Sequence, residues 1–252
     1  MTRTIVTRLI LEVESKFSEI GYVRIPAEKL SNNSDQAENM VLADGDIDAL
    51  NLRRQIRIAV FRRSSGAYQV FGRIAMVSDA VAGIFNSLPE AARLHANLGP
   101  EIPGTIVETS LTDLIGVDSQ MAPQIFEVGE VAQVVCGLFR IVTERGSAWF
   151  AEWSTFDSLL AAACHRQRVS FARWNIDPVA FRAAIVLGVC NGEYRSVSRS
   201  MDWYLRRPIG MNDSDSRERA RALEEYLQDK FVGYRKYRAD SGMPYPHPGS
   251  AD

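Results

Sequence analysis

Two stretches, Arg53-Arg54-Gln55-Ile56-Arg57-Ile58-Ala59-Val60-Phe61-Arg62 and Ala67-Tyr68-Gln69-Val70-Phe71-Gly72-Arg73-Ile74-Ala75-Met76, stand on either side of Ser64-Ser65-Gly66. Successive side chains of an extended chain point to opposite faces. Ile56, Ile58 and Val60 therefore point one way, and Gln55, Arg57, Ala59 and Phe61 the other. In the second stretch Tyr68, Val70, Gly72, Ile74 and Met76 share a face, opposite Gln69, Phe71, Arg73 and Ala75. A period of two on both sides of a glycine-containing turn predicts a β-hairpin. Its aliphatic face belongs to a core. Its other face presents two arginines and two phenylalanines.

Upstream, Val6, Leu9, Ile10, Val13, Phe17 and Ile20 recur at helical spacing, and Gly21 offers a C-terminal stop. Tyr22–Ile25 is short and extended. Residues 27–50, with Ser31-Asn32-Asn33-Ser34-Asp35-Gln36 at their centre, read as a long polar insertion in which Met40–Leu42 adds at most one short strand. Downstream, Ser78-Asp79 opens a helix through Val81, Ile84 and Phe85. Residues 104–109 read as a strand and Thr109–Ile115 as a helical turn. Residues 126–142 are dense in Val, Leu, Ile and Phe and predict a central strand apolar on both faces. Arg145-Gly146 turns it into a partner strand, Ser147–Trp153, which puts Trp149 and Trp153 on one face. A helix through Leu159, Leu160, Ala163 and Cys164 follows. From Asp177-Pro178 onward the pattern is helical, interrupted at Asn191-Gly192 and Arg207-Pro208, and a Gly/Pro-rich tail starts at Ser241.

The expected fold class is α+β: an antiparallel or mixed sheet built from two hairpins with flanking helices, plus a C-terminal helical region. The domain reading is a sheet domain at 1–170, a helical region packed on it at 171–240, and a disordered tail at 241–252. The series helix, short strand, hairpin, helix, hairpin, helix over residues 3–166 resembles the α+β fold of type III secretion chaperones. That resemblance rests on element order and on no motif. It implies a sheet that pairs in a homodimer or holds an extended polypeptide. The 27–50 insertion, the helices at 177–240 and the near-neutral charge depart from those chaperones.

At 252 residues, folding hides about 70–75% of the extended chain's surface, enough for a core without covalent staples. The 46% apolar and 24% charged composition excludes global disorder and a disulfide scaffold. The three cysteines, Cys136, Cys164 and Cys190, are widely spaced and read as small core residues. The first twelve residues make no convincing signal peptide, since Arg8 and Glu12 interrupt the apolar run. With no stretch long enough to span a bilayer, a cytoplasmic protein without a membrane partner is expected.

The net charge of −2 hides blocks of opposite sign. Residues 51–75 carry six arginines and no acid, whereas residues 76–135 carry one basic and eight acidic side chains. The arginine block either meets an acidic partner or nucleic acid, or pairs with the acidic block in the same fold. Internal pairing is favoured, and the overall balance argues against a nucleic-acid partner.

The chemistry-bearing residues form no recognised set. His95, His165 and His247 are scattered, and Cys164 and His165 are adjacent on a helix and so point about 100° apart. Asp44-Gly45-Asp46-Ile47-Asp48 begins like a calcium loop but lacks the required glycine and glutamate, so it reads as a polar loop. Phosphate-loop, dinucleotide, zinc-protease and nucleophile-elbow motifs are missing, and no cofactor or metal is expected. Phe231, Tyr234, Arg235, Lys236, Tyr237 and Arg238 interleave bases with aromatics, a pattern that suits single-stranded nucleic acid or a helix C-terminus. The function expected is therefore a non-enzymatic protein-interaction protein, of chaperone-like, adaptor or immunity type, with a protein partner. The candidate binding residues are Arg57, Phe61, Phe71, Arg73, Trp149 and Trp153. The alternative is an enzyme of an unrecognised family, with a pocket between the sheet and the C-terminal helices.

Overall fold

The 53–76 alternation forms the two longest strands of a sheet. The computed structural model describes residues 2–25, 37–44, 48–94, 104–164, 178–206 and 214–241. They fall into two compact units: Met1–Asp79 with Gly104–Leu159, and Ala80–Pro103 with Leu160–Asp252. Residues 80–103, expected in the sheet domain, group with the C-terminal helices.

In the first unit, α1 (Thr2–Ser18) leads through Gly21, whose φ of 86° suits only glycine readily, into β1 (Tyr22–Ile25). The sheet continues with β2 (Ala37–Asp44), β3 (Arg53–Arg62), β4 (Tyr68–Val77) and β5 (Thr105–Ser110). These strands lie in chain order and every pairing is antiparallel. The two-residue β6 (Gln124–Ile125) pairs with the start of β4 at Tyr68 and Gln69. β3 and β4 pair along their whole length, from Arg53↔Val77 to Arg62↔Tyr68. The aliphatic face is the core face: Ile56, Val70 and Ile74 are fully buried, with Leu9, Val13 and Phe17 of α1 equally buried. Gly72 lies on this face because any Cβ there would run into the side chain of Leu111, in the short helix α3 (Leu111–Leu114).

Two expectations are corrected here. The stretch 37–44, read as part of a polar insertion, is an eight-residue strand between β1 and β3. Its apolar centre is only Met40-Val41-Leu42-Ala43, and partners on both edges extend it beyond what its own residues favour. The second hairpin does not exist. Residues 131–153 form α4 (Val131–Ile141), a π-helical turn (Val142–Gly146) and α5 (Ser147–Glu152). The β-branched residues suggest a strand, but the buried ones, Val131, Val135, Leu138 and Val142, are spaced four, three and four apart, the spacing of one helix face. Glu130 caps the 3-10 turn that leads into the helix (Val128–Glu130), its side chain accepting from the backbone N–H groups of Phe126 (2.7 Å) and Glu127 (3.2 Å). α4 packs on α1, where Phe17 and Phe139 meet edge to face at 5.5 Å. α6 (Phe156–Cys164) follows and bridges the division between the units.

The second unit holds α2 (Asp79–Ser87, beginning at the division), a 3-10 turn at Glu90–Ala92, α7 (Pro178–Cys190), α8 (Tyr194–Arg206), α9 (Ser214–Lys230) and α10 (Val232–Asp240). α7 is buried on every side from Phe181 to Val189, the behaviour of a helix at the centre of its unit. It stops at Asn191-Gly192, as expected, with Gly192 at φ 80°. The helical pattern that follows Arg207-Pro208 is broken at Phe231, which adopts φ −115° and ψ 95° and separates α9 from α10. No described helix is long and apolar enough to cross a membrane.

Candidate functional site

The face of the sheet opposite the core is set by the strand register. Arg57 lies across from Arg73, Ala59 from Phe71, Phe61 from Gln69, and Gln69 in turn from Gln124 of β6. Two cations directly opposite on adjacent strands repel. Glu108 of β5 resolves the conflict. Its carboxylate accepts from Arg57 Nη1 at 3.0 Å and from Arg73 Nη1 on the other oxygen. Arg57 also donates to Gln55 Oε1 through Nε (3.2 Å) and Nη2 (3.1 Å), and to Thr105 Oγ1 through Nη2 (2.9 Å).

This places Arg57 differently from the expectation. Only 8% of it is exposed, and its donors are engaged within the sheet. Burial draws its guanidinium down in pKa, Glu108 opposes that shift, and Arg73 adds to it. Arg57 is a strut across β3, β5 and the paired Glu108, not a group free to recognise a partner. Arg73 differs, with 57% of its side chain exposed.

Phe61 and Phe71 are brought together as expected. Their rings meet edge to face, 5.5 Å between centroids at 82°, and both residues are half-buried. Gln69, beside them, is 1% exposed. Its Oε1 accepts from Nε and Nη2 of Arg63, and its amide nitrogen donates to the Gln120 carbonyl at 3.4 Å. Along the strands the face therefore runs in levels: Arg57 with Arg73, Ala59 with Phe71, Phe61 with Gln69, then the exposed Arg63.

Arg53 and Arg54 also make contacts within the fold, while Arg62 is exposed. Arg53 Nη2 donates to Asp79 at 3.0 Å. The Arg54 backbone N–H donates to Asp44 at 3.1 Å, and its guanidinium lies 5.5 Å from the Phe150 ring centroid. Acids from the 76–135 block, Asp79 and Glu108, thus neutralise arginines of the 51–75 block, the internal pairing favoured above. Nothing in the sequence around Glu108 marks it for this role. Its role follows from the β4–β5 register, to which the sequence offers no local signal.

Trp149 and Trp153 lie on α5 and just after it, not on a strand. They still meet, at 6.3 Å between centroids, because four residues are about one helical turn. Trp149 also packs on Phe150, and both tryptophans are half-buried. Ring contacts among the described residues join neither of them to Phe61 or Phe71. The sequence grouping of six is therefore two clusters on different elements.

Two of the interleaved residues at 231–238, Tyr234 and Arg238, form an interior clamp, while Arg235 and Lys236 are exposed. Tyr234 is fully buried and donates to Glu224 Oε2 at 2.9 Å. Arg238 is 7% exposed, and its Nε lies 2.8 Å from Glu224 Oε1. Its Nη1 donates to Asp202 Oδ1 (2.8 Å) and Ser198 Oγ (2.7 Å). Gln228 Nε2 adds a bond to Glu224 at 2.8 Å. Burial pushes the Glu224 carboxyl up in pKa, while Arg238, Gln228 and Tyr234 pull it back. The cluster ties α8, α9 and α10 together.

Asp48 and Asp44 are occupied by backbone: Asp48 Oδ1 accepts from the N–H groups of Leu50 (2.9 Å) and Leu52 (2.8 Å), while Asp46 lies outside the described residues. His95, His165, His247 and Trp174 also lie outside them. Cys190 is half-buried at the end of α7, and burial pushes its thiol up, which disfavours the thiolate. Comparison with protein-family models, with curated proteins and with solved structures gives no match to this chain.

Proposed function

We propose that this chain is a cytoplasmic, non-enzymatic protein-interaction protein, an adaptor or chaperone-like factor, that engages a protein partner on the outward face of β3 and β4. The observation that carries this reading is the half-buried Phe61–Phe71 pair, held edge to face and flanked by the exposed Arg73. Aromatic rings and arginines concentrate binding energy in protein interfaces: rings bury large areas while losing few rotamers, and a guanidinium offers several donors in one plane. The Arg57–Glu108–Arg73 ladder and Gln69 fix the backbone beneath the rings, so a partner would meet a preorganised surface. A second copy of the chain is one form such a partner could take.

The test is capture from native lysate by the tagged protein, with nuclease treatment, beside a Phe61→Ala/Phe71→Ala variant whose folding is checked by circular dichroism. The expected result is one stoichiometric protein held by the wild type after nuclease and lost from the folded variant. Equal capture by both proteins would overturn the reading.

A further inference from the structure

Resting on that binding face, we infer the chemistry of the segment it takes: an extended polypeptide with carboxylates flanking an apolar centre. Arg57 and Arg73 form one end of the face and Arg63 the other, with Ala59, Phe71 and Phe61 between them. Glu108 is the carboxylate shared by the first two, and Arg63 bonds to the neutral Gln69. Among the described residues these three guanidinium groups pair with one acid, leaving positive charge at both ends of an apolar strip. Arg63 follows the last residue of β3, so Arg57 and Arg63 stand six residues apart, about 20 Å at the rise of an extended chain.

An extended segment lying along β3 matches this spacing residue for residue. Acids at its first and seventh positions reach the two basic ends, and apolar side chains at its third and fifth positions meet the Phe71 and Phe61 levels. The intervening side chains point away, because alternation applies to the bound strand as well. Arg73 and Arg63 are the exposed contacts; Arg57 acts through Glu108 to position Arg73. A nucleic-acid strand fits less well. It carries a charge at every nucleotide, and its middle phosphates would lie over Phe61, Phe71 and Ala59.

The test uses three fluorescein-labelled nine-residue peptides on the full-length protein. Each contains a seven-residue core with leucine at positions three and five; the first and seventh are glutamate, glutamine or lysine. A single-stranded fifteen-nucleotide oligothymidine is the fourth probe. The expected order by fluorescence anisotropy is glutamate over glutamine over lysine, a preference that shrinks as salt is raised. Arg73→Gln and Arg63→Gln should each weaken the glutamate peptide by about fivefold at low salt while leaving the glutamine peptide unchanged. Equal binding of the three peptides, no peptide binding, or tighter binding of the oligonucleotide would overturn the inference. Lysate capture that requires Phe61 and Phe71 but survives an Arg63→Gln/Arg73→Gln variant would also overturn it, while leaving the protein-binding reading in place.

Discussion

Arg57 and Arg73 face one another across two strands, yet their environments differ enough that the same substitution should have unequal consequences. Arg57 is buried, and four hydrogen bonds link it to Gln55, Thr105 and Glu108. Arg57→Ala strips Glu108 of one partner and leaves the polar groups of Gln55 and Thr105 poorly matched. It should cost about 2–4 kcal/mol, less than a fully buried pair because Glu108 keeps 30% exposure. Arg73→Ala should cost less than about 1 kcal/mol, as is usual for an exposed pair. Urea denaturation of the two variants checks the contrast; equal losses would contradict the strut assignment. Alternation alone places both arginines on one face with Phe61 and Phe71. It cannot separate strut from contact, because that depends on Glu108, whose β5 register has no local sequence signature.

At the scale of elements, legibility follows the strength of the period. The 53–76 hairpin reads correctly because ten-residue alternations flank a single turn, with Gly66 in the left-handed region at φ 88°. The α4 segment does not, because Val131, Val134, Val135, Leu138, Phe139, Ile141 and Val142 are apolar enough to satisfy either period. Contact with α1 decides for the helix. β2 is illegible for another reason: its residues are indifferent, and its neighbours make it a strand. In the helical unit, Glu224 on α9 and Tyr234 and Arg238 on α10 meet Asp202 and Ser198 on α8. Glu224→Ala should cost about 3–5 kcal/mol, since it leaves the buried Arg238 with one of its two carboxylate partners, Asp202, and takes the acceptor of the Tyr234 hydroxyl away.

The pH dependence of that clamp has a definite sign. The native Glu224 pKa is raised from its ordinary 4.5, with burial the largest cause. Between 4.5 and the raised native value, the folded chain holds a proton that the unfolded chain has released, so stability falls as pH rises through that window. Relative to Glu224→Gln, the wild type should therefore gain stability as pH is lowered toward 4.5, measured by urea midpoints. A loss over the same window would contradict burial as the dominant influence.

Across the whole molecule, the opposed charge blocks are largely a folding device. Arg53, Arg57 and Arg73 meet Asp79 and Glu108, and Arg54 meets Asp44, so three acids offset half of the +6 segment internally. Arg73 and Arg63 keep charge at the surface, around the one aromatic pair of the outward face. The α+β class was legible because it needs only the hairpin and the helical C-terminal pattern. The division into units was not, since residues 80–103 join elements far along the chain: Arg182 donates to the Ala92 carbonyl, and Arg219 to the Arg93 carbonyl at 2.6 Å.

The central claim is that Phe61 and Phe71 mark where a protein partner sits. The most direct measurement places the photo-crosslinking amino acid p-benzoylphenylalanine at position 71, at position 61, or at the exposed Leu11 of α1, and irradiates each protein in native lysate. The account predicts one shared crosslinked protein from positions 71 and 61 and none from position 11. Crosslinking from position 11 with silence at 61 and 71 would contradict it.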